Sequence, residues 1–452
     1  MRTLEPRLQS GVEHRVPAVS FRCMQDQIRP AMSVRRLATL VTVALLALMM
    51  VRAAYIPLAE AFNHGGIGLD FKCYYAAAWM VRDHSSGAIY SEIGNDTDPT
   101  EASPYPNSVF ARTANAHGVP NVYAYVYPPT LADLFVPFTF VSVSTALHAW
   151  YVLNIAALVA AGIIFVHTPG QELSRYVVPF IGYLSVSTPT VDCLISGQVP
   201  ILLLLLMVCG INYYVRGNKY SAGLFFALAA AIKLTPLIVV IPLIAWGDWK
   251  GLRATALWCA VFACVLLAVN GPGALDLYFF HVLPSMGSTV IDTDSRSLNT
   301  VVRVLWTRSE TGIAPSAAIW TGKVLSALVI LLAGWLTYWR REDSDGKGAR
   351  VETIAIFFFL SCCVAPVSWR HAYLLAAPAL LFLGKRAWQG QSTIFEDAML
   401  VTFIVALTTN RFLEQPLLTP LSGIVLCFLG LYWLRGTRLP ARSPHQRVEA
   451  PA

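Results

Sequence analysis

Charge is what this sequence has least of. Lys, Arg, Asp and Glu make up 13% of its 452 residues, against 56% hydrophobic residues, and the mean hydropathy is +0.56. A soluble domain of this length needs far more charge on its surface, so that class is excluded. No Walker loop, dinucleotide fingerprint or RNA- or DNA-binding motif is present, which argues against a nucleotide pocket and a nucleic-acid partner. The net charge of +7 comes from basic residues in short loops and at the ends, as in membrane proteins. No CxxC pair occurs among the nine cysteines; most sit inside apolar runs, as small packing residues do. The nine histidines show no metal-ligand spacing, and no Ser-His-Asp pattern can be argued, so no metal or cofactor is expected.

What fills the chain instead is apolar run after apolar run. Leu37–Ala59, Ala146–Val166, Val199–Val215, Thr255–Val269, Ala317–Trp339 and Leu417–Leu434 are the clearest, and with the shorter ones they predict roughly ten to thirteen membrane spans. The fold class is therefore all-α and polytopic. Residues 1–34 are polar, dotted with Arg and broken by Pro17 and Pro30, and read as a disordered cytoplasmic extension. Met32 precedes Arg35, Arg36 and a span, so translation is expected to start there; recovery of residues 1–31 by N-terminal sequencing would refute this. The membrane domain covers 35–435 and a cytoplasmic tail 436–452.

Arg35 and Arg36 place the N-terminus in the cytoplasm of a bacterial-type inner membrane. The acidic segment 60–122 and the polar segment 271–315 then fall on the outer, periplasmic side, as a lid and a floor for a site at that surface. Arg340-Arg341, Lys385-Arg386 and Arg435 mark cytoplasmic turns. The middle leaves two readings open. Arg216–Lys219 and Trp249–Arg253 both look cytoplasmic, with one ordinary span's length between them. Either Lys233-Leu234-Thr235-Pro236 splits that stretch into two short helices with the lysine outside, or one long kinked span leaves Arg216 outside.

A few polar residues stand where chemistry could use them. Asp70, just past the first run and among apolar and aromatic neighbours, should have a raised pKa suited to a general base; it would equally serve as a helix cap or a partner for Lys72. Tyr127, in Tyr125-Val126-Tyr127-Pro128-Pro129, faces a cleft or belongs to an interfacial aromatic belt. Gln198, in Ser196-Gly197-Gln198, opens an apolar helix whose N-terminus could meet an anion, or is a plain helix start. Lys233 would cost about 2.5–3.5 kcal/mol at mid-bilayer, so it snorkels, pairs or serves a ligand such as a phosphate. Arg370 and His371 offer a cation and a titratable donor to a phosphate, or anchor an interfacial turn. Asp96 and Asp98 look like an exposed turn.

In order, these pieces form a set: Asp70-Phe71 with Tyr74-Tyr75-Ala76-Ala77, Tyr125-x-Tyr127-Pro-Pro, Trp150…Asn154, Gly197-Gln198, Ala222-Gly223 to Lys233-x-x-Pro236, Ser297-Leu298-Asn299 and Pro366-x-Ser368-Trp369-x-His371. The set resembles glycosyltransferase family 87, the bacterial polyprenyl-phosphate-mannose-dependent α-mannosyltransferases of the GT-C superfamily, over roughly residues 35–435. The resemblance implies about eleven to thirteen transmembrane helices with periplasmic interfacial helices, and inverting hexosyl transfer from a lipid-linked donor to a lipid or glycan acceptor. By carry-over, Asp70 would deprotonate the acceptor and His371 would lie near the donor phosphate. Lys233, Gln198 and Tyr127 fall on further motif positions. Many members carry another polar residue after the Trp-x-His; here Ala372-Tyr373 follow, so the donor pocket differs, and Arg370 at the variable position adds a phosphate contact. A secondary transporter is the rival class. It requires paired midplane charges and an internal repeat, and no convincing repeat is visible. Within the enzymes, transfer of another sugar such as arabinofuranose stays open.

Overall fold

The structure, a computed structural model, describes residues 67–91, 108–119, 122–170, 173–286, 294–308, 314–342, 346–408 and 417–434, with isolated positions between 44 and 55. The extension 1–34, Met32, most of the first apolar run, Asp96, Asp98 and the tail 436–452 lie outside the described residues. Among those described, every regular element is helical and none is a strand, as an apolar chain that must satisfy its own backbone requires.

Among the described residues three helices are long and apolar enough to cross a membrane: Val143–Val166, Trp249–Ser285 and Ser316–Trp339. A fourth span counts if the pair Ser174–Val186 and Thr188–Ser196, bent by 50°, is taken as one. These are fewer than the apolar runs suggested, because prolines and turns divide many runs and most of the first run lies outside the described residues. Pro189 sits in the first turn after the break at Ser187, and Pro236 in the 3₁₀ turn that follows Lys233.

Contacts between helix ends show that the shorter helices still run between the same two ends as the long ones. At one end, Lys219 Nζ meets Asp248 Oδ2 at 2.8 Å, Arg350 stacks over Trp246, Arg386 faces Glu352 and Glu396, and Arg340 donates to the Tyr432 carbonyl. This is the basic end. At the other, Tyr75 Oη donates to the Val141 carbonyl at 2.8 Å, Gly68 N to Ile195 O at 2.7 Å and Arg296 to Ala406 O at 2.7 Å. The segment 219–248 leaves the basic end, turns at Lys233 and comes back. Of the two readings left open, the split helix is the one observed.

The two long polar segments are helical where described. Within 60–122, Leu69–Arg82 and Val109–Ala116 are helices. Within 271–315, the helix from Trp249 kinks at Gly271-Pro272 and continues as a π-helical turn, Leu277–Val282. Leu298–Thr307 then begins with Ser297 as its N-cap, accepting from Thr300 N at 3.3 Å.

Candidate functional site

The helix Leu69–Arg82 carries Asp70 in its first turn and is buried along most of its length. Its N-cap is Gly68, in the left-handed region, and no side chain caps it, so Asp70 is not spent on capping. Nor does it pair with Lys72. Gln198 and Lys233 stand near enough to its carboxylate to favour the ionised form. Asp70 keeps part of its surface open although protein surrounds it. Burial pushes its pKa from the usual carboxylate range up to about 6, against the lowering pulls of Gln198 and Lys233.

Gln198 corrects one expectation. It does not open a helix: Gly197, at φ 72°, ends the helix Thr188–Ser196, and the next helix starts at Pro200. Gln198 is 1% exposed, and its Oε1 accepts from both Tyr74 Oη and Tyr127 Oη at 2.8 Å. One amide oxygen thus holds two phenols beside Asp70. The bracket is fixed by its neighbours. Trp150 Nε1 donates to Gly197 O at 2.9 Å, and a Cβ on Gly197 would stand 2.6 Å from Phe71 Cβ. Four of the sequence motifs therefore meet at one point. The rings of Tyr74 and Tyr127 pack edge-on at 5.2 Å, so Tyr127 belongs to the site and not to an aromatic belt.

Lys233 ends the helix Lys219–Ile232 in an extended conformation. Its Nζ lies 5.5 Å from the centre of the Tyr127 ring, and it lines a slot with Pro200, Leu203, Ser361, Ser368 and Leu375. A lysine beside an apolar pocket among membrane helices can pair with the phosphate of a ligand.

The turn after Pro366 forms the facing wall. Arg296 N donates to Ser368 O at 2.7 Å and Ser368 N to Ser295 Oγ at 3.1 Å. Asn299 donates to Ser326 Oγ and to the carbonyls of Val364 and Ala365 at 3.1–3.3 Å. Ser297-Leu298-Asn299 is thus a brace that shapes the turn. His371 is buried, and its Nε2 has no partner. Burial first, then Lys233 and Arg370, hold its pKa well below the usual value. It is therefore a neutral imidazole. Arg370 is not a free cation either, because its Nε lies 3.1 Å from Asp192 Oδ2.

The structure brings Asp70, Tyr127, Gln198, Lys233, Arg370 and His371 to one end of the bundle. Sequence reasoning missed Tyr74 and Asp192, whose partners stand more than a hundred residues away. It also missed Asp133, held by Asn270 Nδ2 at 2.9 and 3.0 Å and pushed up to about 6 by burial. Asp192, a carboxylate in an apolar run, was the one visible signal of the three. Among the described residues no three His, Cys, Asp or Glu side chains are grouped to hold a metal ion.

Comparison with known proteins fits this arrangement. The chain is 24% identical over 282 residues to a polyprenol-phosphate-mannose-dependent α-(1-2)-phosphatidylinositol mannoside mannosyltransferase of Mycobacterium tuberculosis, covering 59% of this chain and 63% of that protein. It is 24% identical over 264 residues to the corresponding pentamannoside mannosyltransferase of Mycolicibacterium smegmatis, covering 57% and 60%. The match thus spans about three fifths of the length of these relatives. No solved structure matches the chain. The model of glycosyltransferase family 87 matches residues 125–366, which include Tyr127, Gln198 and Lys233 and stop between Asp70 and His371. With more than half of its length matched, this multi-pass membrane protein belongs to glycosyltransferase family 87.

Proposed function

We propose that this protein is an inverting mannosyltransferase that takes its sugar from a polyprenyl phosphate and gives it to a lipid or glycan acceptor at the periplasmic face. The observation that carries the reading is a carboxylate, Asp70, whose pKa burial raises to about 6 and which is close enough to Lys233 to feel its charge, with Lys233 itself lining an apolar pocket. The names of the relatives supply the donor: both depend on polyprenol-phosphate-mannose.

In this reading the isoprenoid chain lies along the slot beside Leu203 and Leu375, and the phosphate meets Lys233, with Arg370 and His371 on the facing wall. Asp70 takes the proton of the acceptor hydroxyl as its oxygen attacks the anomeric carbon. The bond from that carbon to the phosphate oxygen breaks from the opposite side, and its electron pair stays on the phosphate. The configuration inverts without a covalent intermediate. Cations at the phosphate stabilise the charge that develops there, so transfer should persist in a chelator. Lys219, Arg340, Arg350 and Arg386 gather at the end remote from Asp70, which supports a cytoplasmic basic end and a periplasmic site.

The test is transfer by the purified protein from radiolabelled polyprenyl-phosphate mannose to extracted membrane lipids and glycans, beside Asp70→Asn. The expected result is transfer by the wild type and a loss of about 10²–10⁴-fold in the variant. Transfer that survives the substitution would remove Asp70 as base. Transfer only from another polyprenyl-phosphate sugar, such as the arabinofuranosyl donor, would replace mannose.

A further inference from the structure

Arg370 is already neutralised before any ligand arrives. Its Nε faces Asp192 Oδ2 at 3.1 Å, and the two side chains are 22% and 14% exposed. Asp192 lies on the helix Thr188–Ser196, the same helix that ends at Gly197 beside the Asp70 bracket. The next residue, Cys193, donates to the carbonyl of His371 at 3.6 Å. This helix is therefore fastened at two successive positions to the turn that carries Arg370 and His371. Arg296 is also near, but its guanidinium already donates to Ala406 O and Thr419 Oγ1. Of the two arginines, Arg370 is the one that, among the described residues, is held by a single ionic contact.

The charge of the phosphate changes during the proposed reaction. A sugar phosphodiester carries one negative charge, which Lys233 can balance. Once the bond to the sugar breaks, the phosphate is a monoester with a second ionisation near pH 6, and approaches two charges at neutral pH. Lys233 alone then leaves an excess. We infer that Asp192 is a positioning residue that holds Arg370 in reserve, competing with the phosphate so that Arg370 is released to it only as the second charge develops. The pair then closes again behind the departing polyprenyl phosphate. Asp192 thereby weakens the hold on product as well as aiming the guanidinium. The inference rests on the polyprenyl-phosphate reading above.

Binding to the full-length protein in detergent tests it without turnover. The probes are a short-chain polyprenyl phosphate monoester and its methyl diester, titrated into wild type, Asp192→Asn, Arg370→Gln and the double variant. Asp192→Asn should bind the monoester about 3–10-fold more tightly, the scale of a partly exposed ion pair, with a smaller change for the diester. Arg370→Gln should bind the monoester more weakly. In the Arg370→Gln background, Asp192→Asn should change nothing, because its effect passes through the arginine. In steady state, Asp192→Asn should show tighter product inhibition by the monoester, and Asp192→Glu should restore wild-type behaviour. Equal tightening with and without Arg370 would reduce Asp192 to a general negative field and overturn the inference. So would monoester binding that no variant alters, and both results would leave the donor class standing. Failure of every variant and the wild type to bind either lipid would overturn the donor reading, and the inference with it.

Discussion

Asp70 illustrates how one residue trades stability against reactivity. Burial raises its pKa to about 6, and the Gln198 amide and the Lys233 charge lower it less than burial lifts it. Because the folded pKa lies above the unfolded one, the fold favours the protonated form. The contribution is full below about pH 4 and is lost as pH rises through about 6. A rise of about two units corresponds to roughly 3 kcal/mol, which the water at the cleft mouth reduces to about 1–2 kcal/mol. Asp70→Asn should therefore raise the apparent melting midpoint at pH 7.5 while transfer is lost, and leave it nearly unchanged at pH 4. In the wild type, transfer should climb with pH across about 6, because the base must be ionised. Gln198→Leu removes a donor that favours the carboxylate, so this limb should move to higher pH. It also strands the Tyr74 and Tyr127 hydroxyls, at about 1–3 kcal/mol for each, which a lower melting midpoint would report. A limb that stays in place would dissociate Gln198 from the base. Asp70 and Lys233 were legible in the sequence because a charge among apolar residues is costly and needs a reason. The work of Gln198 was not, because an amide looks the same whether it faces water or two phenols supplied by distant segments.

At the scale of elements, the junction of Leu69–Arg82 with Thr188–Ser196 sets the surroundings of Asp70. Gly197 adopts φ 72° and lies against Phe71 so closely that a Cβ would reach Phe71 Cβ at 2.6 Å. Gly217 has a similar backbone, φ 88°, with nothing within 4 Å of its would-be Cβ. The comparison separates conformational strain from contact. Gly217→Ala should cost only the left-handed penalty, about 1–2 kcal/mol. Gly197→Ala should cost more, push the two helices apart and displace Gln198 from Asp70. The checks are the melting midpoint of each variant and the pH profile of transfer, which should shift for Gly197→Ala alone. Equal effects from the two substitutions would mean that the contact with Phe71 does not position the base. Apolar runs announced the helices themselves, since burial and lipid exposure both leave a hydrophobic trace. Their breaks at Ser187 and Lys233 were visible only as prolines nearby, and a proline bends a span as readily as it ends one.

Over the whole molecule, the segment between Arg216 and Arg253 decides how the chain is threaded. From charge alone the lysine at 233 could lie outside with basic flanks inside, or the flanks could lie on opposite sides, because positive residues bias a loop without counting the crossings between them. The ion pair between Lys219 and Asp248 at 2.8 Å, with Tyr214 Oη donating to the same carboxylate at 2.6 Å, resolves this by closing the two flanks on each other. The same threading makes Lys233 the apex that reaches Asp70, so topology and chemistry stand together. Single cysteines at Asn218, Gly247 and Thr235, in a protein whose native cysteines are replaced, measure it directly with an impermeant maleimide on intact cells and on inverted vesicles. Asn218→Cys and Gly247→Cys should label only in inverted vesicles, while Thr235→Cys should label from the outside and be protected by polyprenyl phosphate. Labelling of the two flanks from opposite faces would break the hairpin, remove Lys233 from the outer cleft and leave the apolar slot without its cation.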